Sequence, residues 1–491
     1  MNDFEIPEPV VLAIDVGTSS SRVGLYDARG DLLPGTLAAL PHAPTTTPDG
    51  GSELDADGLV DEVCELIDHC LAAVPGVEIA AVATCSFWHS VVGVEARGVA
   101  LTPVYTWADN RAAATLPALA RRVDPRDLYD HTACPLHSSY LPAKLYWLRQ
   151  TNADLFRRTV RWVSPGEYLH LHLLGEAACG EAMASATGLY DQRARAWHGP
   201  ILEALTISSA TLSPLVPTSR PSGALRREHA DRWPQLARAV WFPAVGDGAC
   251  SNFGSGAGRP GVAALNYGTS GAIRTVVTAP VQFPDGLWLY RIDEARLLLG
   301  GAVSNAGNVY AWLLQTLGLD PEAVERHMLD AEPGATGLEF VPHLSGERSP
   351  GWNANATGSL TGMRLDTSRE EILQAGVEGV LIELLTVHNM LSEAVALHEI
   401  HVSGGAVAKS TALRAGLTDA LGRPIRVCTE SEATLRGAAL LALDALGTLD
   451  ASGVGAELSL PSTPDPGRHA IYRKLEQERT ARRPGYVDVV A

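Results

Sequence analysis

The first strongly patterned stretch of the chain alternates apolar runs with a small polar turn. Residues 11–16 are apolar except for Asp15, which predicts a buried strand that ends in a carboxylate. The turn Gly17-Thr18-Ser19-Ser20 offers exposed backbone N–H groups and hydroxyls, which suit phosphate oxygens, and Arg22 adds a cation. We therefore predict a phosphate-binding hairpin whose Asp15 holds a hydrated Mg²⁺. An ordinary hairpin with a polar turn is the alternative.

The same pattern occurs a second time. Residues 263–277 contain an apolar run, the turn Gly268-Thr269-Ser270 and a further apolar run that includes Arg274. Two hairpins of this kind can hold the phosphates of one nucleotide from both sides, and the arrangement resembles the fold of actin, hexokinase and the heat-shock chaperone ATPases. That resemblance implies an α/β protein with two ribonuclease-H-like domains and an ATP cleft between them.

The length of 491 residues exceeds one ordinary core and predicts two to three domains. We divide the chain into an N-terminal domain over 1–255 and a C-terminal domain over 256–491. Apolar periodicity predicts further elements. They are a helix over 56–73, strands over 79–85 and 91–94, mostly helical structure over 124–186, and helices over 369–399, 433–446 and 469–479.

Composition excludes several classes of protein. Hydrophobic residues make up 46% of the chain, so it is globular, and the formal net charge of −18 argues against a nucleic-acid or anionic-membrane surface. The seven cysteines include no C-x-x-C pair, which indicates neither a zinc site nor a disulfide framework. The N-terminus is unlike a signal peptide, and no apolar run approaches the roughly 18 residues of a membrane span. We expect a cytoplasmic enzyme with a small-molecule substrate.

Polar and aromatic side chains cluster where the predicted strands of the first half end. Trp88 and His89 follow the strand over 79–85, and Asp109 and Arg111 follow a short apolar run. Ligands bind at such strand ends in open α/β sheets, so we expect these residues near a substrate. Packing roles for the aromatic ring and the histidine are the alternative.

A strand that ends at Gly246 delivers Asp247 between two glycines, so that its carboxylate can approach a ligand. We predict that Asp247 is a general base, and a helix N-cap is the alternative role. Another strand runs into Gly404-Gly405-Ala406, where bare backbone allows a flat ring such as adenine to lie. No G-x-x-x-x-G-K-[ST] sequence is present, so a Walker loop does not hold the ATP.

Six stretches in this order resemble the motifs of the FGGY carbohydrate kinases. They are Asp15-Val-Gly-Thr-Ser-Ser, Thr106-Trp-Ala-Asp-Asn-Arg111, Gly246-Asp-Gly-Ala249, Asn266-Tyr-Gly-Thr-Ser270, Ser345-Gly-Glu-Arg-Ser-Pro350 and Ser403-Gly-Gly-Ala406. Within that family the chain is most similar to the gluconokinase branch. This similarity to the gluconokinase branch rests on the stretches Trp107-Ala-Asp-Asn-Arg111, Cys134-Pro-Leu-His137, Ala184-Ser-Ala-Thr-Gly188 and Glu347-Arg-Ser-Pro-Gly-Trp-Asn-Ala-Asn355.

The resemblance implies that the domain over 1–255 binds sugar and phosphate and that the domain over 256–491 binds the nucleotide. It also implies a role for each residue at a motif position. Asp15 would hold Mg²⁺ through water, and Asp247 would take the proton from the sugar hydroxyl. The residues implied to contact ATP are Thr18, Ser19, Arg22, Gly268, Thr269, Gly307, Gly404 and Gly405. Those implied to contact the sugar are Trp88, His89, Asp109, Arg111 and Asp247.

The implied reaction is transfer of the γ-phosphate of Mg-ATP to a primary hydroxyl of a sugar acid, with D-gluconate giving 6-phosphogluconate. Relatives usually have a slimmer residue where Trp88 stands, so xylulose, ribulose or another sugar or polyol is the alternative acceptor. An actin-like ATP-driven switch is a more distant alternative. The sequence leaves homodimer formation open.

Overall fold

The computed structural model describes residues 7–278 and 281–482, which form two compact units. The first unit contains the described residues within 1–254, 289–298 and 432–454, and the second contains those within 255–288, 299–431 and 455–491. A single division after residue 255 would assign the segments 289–298 and 432–454 to the C-terminal half. The structure groups both of them with the first unit.

The strands are short and many of them are buried. Those within the described residues are β1 (Val11–Val16), β2 (Ser20–Tyr26), β3 (Ala38–Pro41), β4 (Thr45–Thr46), β5 (Ser52–Leu54), β6 (Ala81–Ser86), β7 (Val92–Val94), β8 (Val104–Tyr105), β9 (Arg161–Val163), β10 (Cys179–Gly180), β11 (Tyr190–Asp191), β12 (Ala196–Trp197), β13 (Leu215–Val216), β14 (Val240–Trp241), β15 (Val245–Gly246), β16 (Val262–Tyr267), β17 (Gly271–Val277), β18 (Trp288–Arg291), β19 (Leu297–Val303), β20 (Glu339–Val341), β21 (Ser359–Thr361), β22 (Glu399–Ser403) and β23 (Ile425–Val427).

Helices connect and cover the strands. They are α1 (Ala56–Ala72), α2 (Leu116–Ala120), α3 (Pro125–Thr132), α4 (Leu141–Thr151), α5 (Ala153–Arg158), α6 (Pro165–Leu174), α7 (Glu181–Ala184), α8 (Gly199–Leu205), α9 (Arg227–Arg232), α10 (Asp247–Gly254), α11 (Gly307–Leu317), α12 (Pro321–Asp330), α13 (Arg369–Ala394), α14 (Gly405–Lys409), α15 (Thr411–Leu421), α16 (Ala433–Ala445) and α17 (Pro466–Thr480). Short 3₁₀ helices lie at Arg111–Thr115, Ser209–Thr211, Pro234–Leu236 and Ala451–Gly453. No helix of the described residues is long and apolar enough to cross a membrane.

The main sheet of the first unit has the strand order β14-β6-β1-β2-β3, and β15 also pairs with β6. Strands β1 and β2 form the predicted hairpin, while β1, β6 and β15 are parallel. Every residue of β1 is buried, which confirms the predicted buried strand. Because parallel strands end at the same edge of a sheet, Asp15 and Asp247 are both delivered to one edge.

The second unit repeats this arrangement. Strands β16 and β17 form an antiparallel hairpin around the second Gly-Thr-Ser turn, and β22 runs parallel to β16 with β23 on its far side. The register places Asn266 opposite Ser403, so the hairpin turn and the loop after β22 leave the sheet side by side. The predicted duplication of the hairpin is therefore confirmed.

Two helices of the first unit pack backbone against backbone. A β-carbon on Gly254 of α10 would overlap the carbonyl of Ala433, and one on Gly437 of α16 would overlap the carbonyl of Cys250. Glycine at both positions lets the two helix axes approach closely. The contact holds the second half of α10, whose first residue is Asp247, against the helix that follows Glu432.

We expect Gly437→Ala to lower the free energy of unfolding by about 1–3 kcal/mol, because the new methyl group must push α16 away from α10. The loss should appear although alanine favours a helix over glycine by about 1 kcal/mol. Urea unfolding measures the effect. Gly199→Ala is the matched control, since Gly199 begins α8 and no atom lies near the position of an added β-carbon. Equal stability of Gly437→Ala and the native protein would contradict the packing argument.

Several predicted helices agree with the structure, and one ends early. Helices α1, α16 and α17 fall where the periodicity placed them. The helix predicted over 369–399 ends at Ala394, because the following segment turns to pair as β22 with β16. The segment over 124–186 is mostly helical but includes β9, which pairs with β7. The frayed tail expected after residue 479 lies largely outside the described residues.

Candidate active site

An acidic cluster lies at the edge of the first sheet. Asp15, at the end of β1, stands opposite Arg22 in the hairpin register, and Arg22 Nη1 lies 3.3 Å from Asp15 Oδ2. The Nε of Arg22 lies 3.3 Å from Glu432 Oε2, so two carboxylates share one guanidinium. Burial, together with the nearby charge of Asp247, raises the pKa of Asp15 to about 6, while Arg22 opposes that shift.

The residues of this cluster fit a divalent cation. Asp15 Oδ1 is buried and has no hydrogen-bond partner among the described residues. A buried carboxylate oxygen that accepts no hydrogen bond lowers the stability of the folded protein. The repulsion between the carboxylates of Asp15 and Asp247, which helps to raise the pKa of Asp15, lowers it too. A hydrated Mg²⁺ would supply donors and positive charge to both carboxylates, and oxygen ligands are those that Mg²⁺ prefers.

The turn after β1 is held from outside the hairpin. Gly17 N donates to Ser20 O at 3.1 Å, and His42 Nε2 lies 2.9 Å from Gly17 O while its Nδ1 lies 2.9 Å from Glu62 Oε2. Trp107 Nε1 donates to Thr18 Oγ1 at 3.1 Å. The turn is therefore preorganised, and Trp107 joins the phosphate-binding hairpin to the segment that carries Asp109 and Arg111.

Asp109 and Arg111 form one buried ionic group. Arg111 donates to Asp109 and also, from Nη2, to Glu53 Oε1 at 2.6 Å, and Asp109 Oδ2 accepts from Ser52 N at 3.1 Å. Burial works against the charged form of Arg111, but these hydrogen bonds outweigh it and raise its pKa. The guanidinium also lies over the Trp147 ring at 4.7 Å. Because two carboxylates already neutralise it, Arg111 orients Asp109 within the predicted sugar site.

Aromatic rings surround Trp88 and His89. Trp88 meets Tyr290 edge to face with ring centroids 5.0 Å apart, and His89 meets Tyr140 at 4.7 Å. His89 has a positive φ of 58°, which a non-glycine residue adopts at a cost, and its Nδ1 lies 2.7 Å from Ala186 O. The indole of Trp88 occupies the space that a β-carbon at Gly246 would need. The ring therefore lies beside the residue that precedes Asp247.

Asp247 is the first residue of α10 and directly follows β15. Its Oδ1 accepts from Gly248 N at 2.8 Å. The structure thus places Asp247 at a helix start, a position compatible with both the general-base and the N-cap interpretations, and its charge is close enough to raise the pKa of Asp15. A carboxylate beside a predicted cation site and a predicted sugar pocket suits proton transfer from a hydroxyl.

The second unit brings its five predicted nucleotide contacts to neighbouring positions. Gly307 N donates to Gly268 O at 2.9 Å, and Asn308 N donates to Thr269 O at 3.3 Å, so the start of α11 is bonded to the hairpin turn. Gly404 has a φ of 134°, and a β-carbon there would overlap the carbonyl of Tyr267. No atom lies within 4 Å of the position of an added β-carbon at Gly405, where a flat ring would fit.

Sequence patterns did not point to several residues that the fold adds to these groups. Glu432 joins Arg22, Glu53 joins Arg111, and Tyr290 joins the aromatic cluster, although each is distant in sequence from its partner. The available signal for Glu432 was its position directly before the predicted helix over 433–446.

A separate cavity of about 430 Å³ in the first unit is lined by Thr84, Phe242, Arg296, Asp444 and neighbouring residues, and none of the predicted site residues lines it.

An acidic pair beside a Gly-Thr-Ser hairpin, with the hairpin and its parallel strand repeated in a second unit, is typical of two-domain phosphotransferases of the actin and hexokinase class. Comparison with known proteins agrees. Residues 10–254 match the N-terminal domain of the FGGY family of carbohydrate kinases, and residues 263–446 match its C-terminal domain. The chain belongs to the FGGY family of carbohydrate kinases, and it is an ATP-dependent sugar kinase.

Relatives with different acceptors resemble the chain to a similar degree. It is 28% identical to a gluconokinase of Bacillus subtilis, over 90% of this chain and 88% of that protein. Two crystal structures from Lactobacillus acidophilus, one of a gluconate kinase and one of a ligand-bound xylulose kinase, are each 29% identical with a TM-score of 0.89. Each comparison covers 96% of this chain and 97% of the other. The predicted fold class is confirmed, and so is the predicted family.

Proposed function

We propose that this kinase transfers the γ-phosphate of ATP to the primary hydroxyl of D-gluconate and that Asp247 is its general base. The observation that carries the proposal is the acidic cluster, in which the buried carboxylate of Asp15 pairs with Arg22 and lies close enough to Asp247 for that charge to raise the pKa of Asp15. Phosphoryl transfer requires alignment, neutralisation of charge and a proton acceptor, and little covalent chemistry from the protein.

Each group of residues has a separate task in this mechanism. Backbone N–H groups and hydroxyls of the turn at Thr18 and Ser19, together with Arg22, orient the phosphates, and Asp247 accepts the proton from the attacking hydroxyl. Asp15 would hold Mg²⁺ through water. When bound, Mg²⁺ supplies positive charge against the phosphate oxygens. The glycines at 268, 307, 404 and 405 and Thr269 would hold the nucleotide.

The choice of gluconate rests on relatives and on motif stretches. The gluconokinases of Bacillus subtilis and Bacillus licheniformis are each 28% identical to this chain. Trp88 supports the alternative of a pentulose such as xylulose, because its indole fills the space beside Gly246 and narrows the predicted sugar pocket. Cytoplasmic location and a homodimer remain predictions from the sequence.

ADP release with Mg-ATP, measured against a panel of acceptors, tests the proposal. The panel contains D-gluconate, related sugar acids, xylulose, ribulose, glycerol and a blank without acceptor. We expect gluconate to give kcat/KM at least about tenfold above every other acceptor, equivalent to about 1.4 kcal/mol of preference in the transition state.

Other outcomes of this panel have distinct meanings. Preference for a pentulose or polyol would reject gluconate while keeping the kinase chemistry. ADP release equal to the blank for every acceptor would favour a nucleotide switch.

Trp88→Met is a useful companion variant, because a slimmer side chain should change the ranking of acceptors while leaving the affinity for ATP unchanged. An unchanged ranking would remove Trp88 from acceptor selection.

A further inference from the structure

A cluster of histidines and aspartates lies in the first unit among residues that the proposed kinase mechanism does not use. Asp127 and His131 are one helical turn apart on α3, and His198 directly precedes α8. One ligand atom from each of the three residues lies within 4.8 Å of the other two. The Nε2 of His131 is 3.7 Å from Asp127 Oδ1, so both side chains point to the same place.

A fourth residue orients the central histidine. Asp191 Oδ2 lies 2.7 Å from His131 Nδ1, which directs Nε2 towards Asp127. Asp191 itself is held, because its Oδ1 accepts from Arg193 N and from Ala194 N, each at 2.8 Å. A carboxylate bonded to the far nitrogen of a histidine is the usual outer support of a metal-binding imidazole, since it sets the tautomer and the ring orientation.

His198 supplies an independent observation that points to a ligand. The residue is only 4% exposed, and its Nδ1 is buried without a hydrogen-bond partner among the described residues. Its ring stacks on that of His131 with centroids 5.0 Å apart and planes inclined by 26°. A buried imidazole nitrogen with no partner is costly, and a cation bound by Nδ1 would remove that cost.

We propose that Asp127, His131 and His198 form a binding site for Zn²⁺ or a similar borderline divalent cation. Two imidazoles and one carboxylate match zinc, whereas Mg²⁺ and Ca²⁺ prefer oxygen ligands. The fourth coordination position would face water, because the Asp127 side chain is 51% exposed. The ion would join α3, the β11–β12 hairpin through Asp191, and the start of α8, so its role is structural.

A second group of possible ligands, in the other unit, is less suitable. His343, Glu347 and Glu383 also lie within 4.8 Å of one another. However, Arg479 Nη1 lies 3.2 Å from Glu383 Oε1, so a cation already neutralises that carboxylate. His343 therefore provides a matched control for the site at His198.

Zinc titration of the chelator-treated full-length protein, in the presence of excess Mg²⁺, tests the proposal. We expect one zinc ion per chain, and an upward shift of the melting temperature at saturation, because the ion binds the folded state. His131→Gln combined with His198→Gln should weaken binding by at least about 100-fold, and Asp191→Asn by about 10–100-fold. His343→Gln should bind as the native protein does.

A second measurement does not depend on the folding of any variant. Co²⁺ added to the native protein should give the intense visible absorption of a four-coordinate site, and Zn²⁺ should abolish it. Three results would overturn the proposal: no saturable zinc binding above excess Mg²⁺, equal binding by the double histidine variant, or loss of binding in His343→Gln. Since none of these residues belongs to the proposed kinase site, the acceptor panel is independent of each result.

Discussion

Asp247→Asn is expected to slow phosphoryl transfer by about 10²–10⁴-fold, because an amide cannot accept the proton from the sugar hydroxyl. Asparagine keeps the size of the side chain and the oxygen that accepts from Gly248 N. The start of α10 should therefore stay intact. Turnover is measured as ADP release with the preferred acceptor, and the affinity for ATP is measured separately by displacement of a fluorescent nucleotide.

The experiment must distinguish the loss of a general base from the loss of a negative charge at the start of a helix. Asp320→Asn is a suitable control, since Asp320 caps α12 by accepting from Ala323 N and has no predicted role in catalysis. We expect that variant to retain full activity and Asp247→Asn to retain nearly native ATP affinity. Near-normal turnover of Asp247→Asn would remove Asp247 from the role of base and leave the N-cap interpretation.

Asp15→Asn is expected to raise the Mg²⁺ concentration needed for half-maximal activity by about 10–100-fold, the usual cost of losing an outer-sphere partner of a metal ion. The variant removes one of the two carboxylates that would face the cation. Arg22 keeps its ion pair with Glu432, so no guanidinium is left buried without a partner. Activity measured over a range of Mg²⁺ concentrations at saturating ATP should recover largely at high Mg²⁺.

Asp27 provides the control for this experiment. It is also a buried aspartate of the first unit that pairs with an arginine, Arg29, but it directly follows β2, whereas Asp15 lies within β1. Asp27→Asn should leave the Mg²⁺ dependence unchanged even where it lowers stability. An unaltered Mg²⁺ requirement in Asp15→Asn, or an equal shift in both variants, would contradict a metal role for Asp15.

Local sequence was sufficient to predict the elements whose hydrophobic pattern agrees with their burial in the folded protein. Strand β1 is apolar except for Asp15, and both Gly-Thr-Ser turns connect paired strands, so the two hairpins could be recognised from residues 11–26 and 263–277. Helix α1 could be recognised because its apolar positions recur at helical spacing and Asp55 caps it. The six motif stretches, in their order along the chain, were likewise sufficient to recognise the family.

Pairing between distant segments overrode local preference elsewhere. The helical pattern that runs past Ala394 is cut short because residues 399–403 complete the sheet beside β16, and the hydrogen bonds of a sheet outweigh a weak helix preference. In the same way β9 interrupts a mostly helical segment because it pairs with β7. No window of the local sequence contains the partner strand.

The sequence by itself determined the two hairpins, the family and the identity of the acidic and glycine residues, because each is a local pattern within a few residues. Only the tertiary structure decided which side chains from distant parts of the chain contact one another. Glu432 reaches Arg22, Tyr290 reaches Trp88, and His198 reaches His131 across long separations in the chain. Such contacts are properties of the folded chain as a whole, and so is the close approach of α10 and α16 at two glycines.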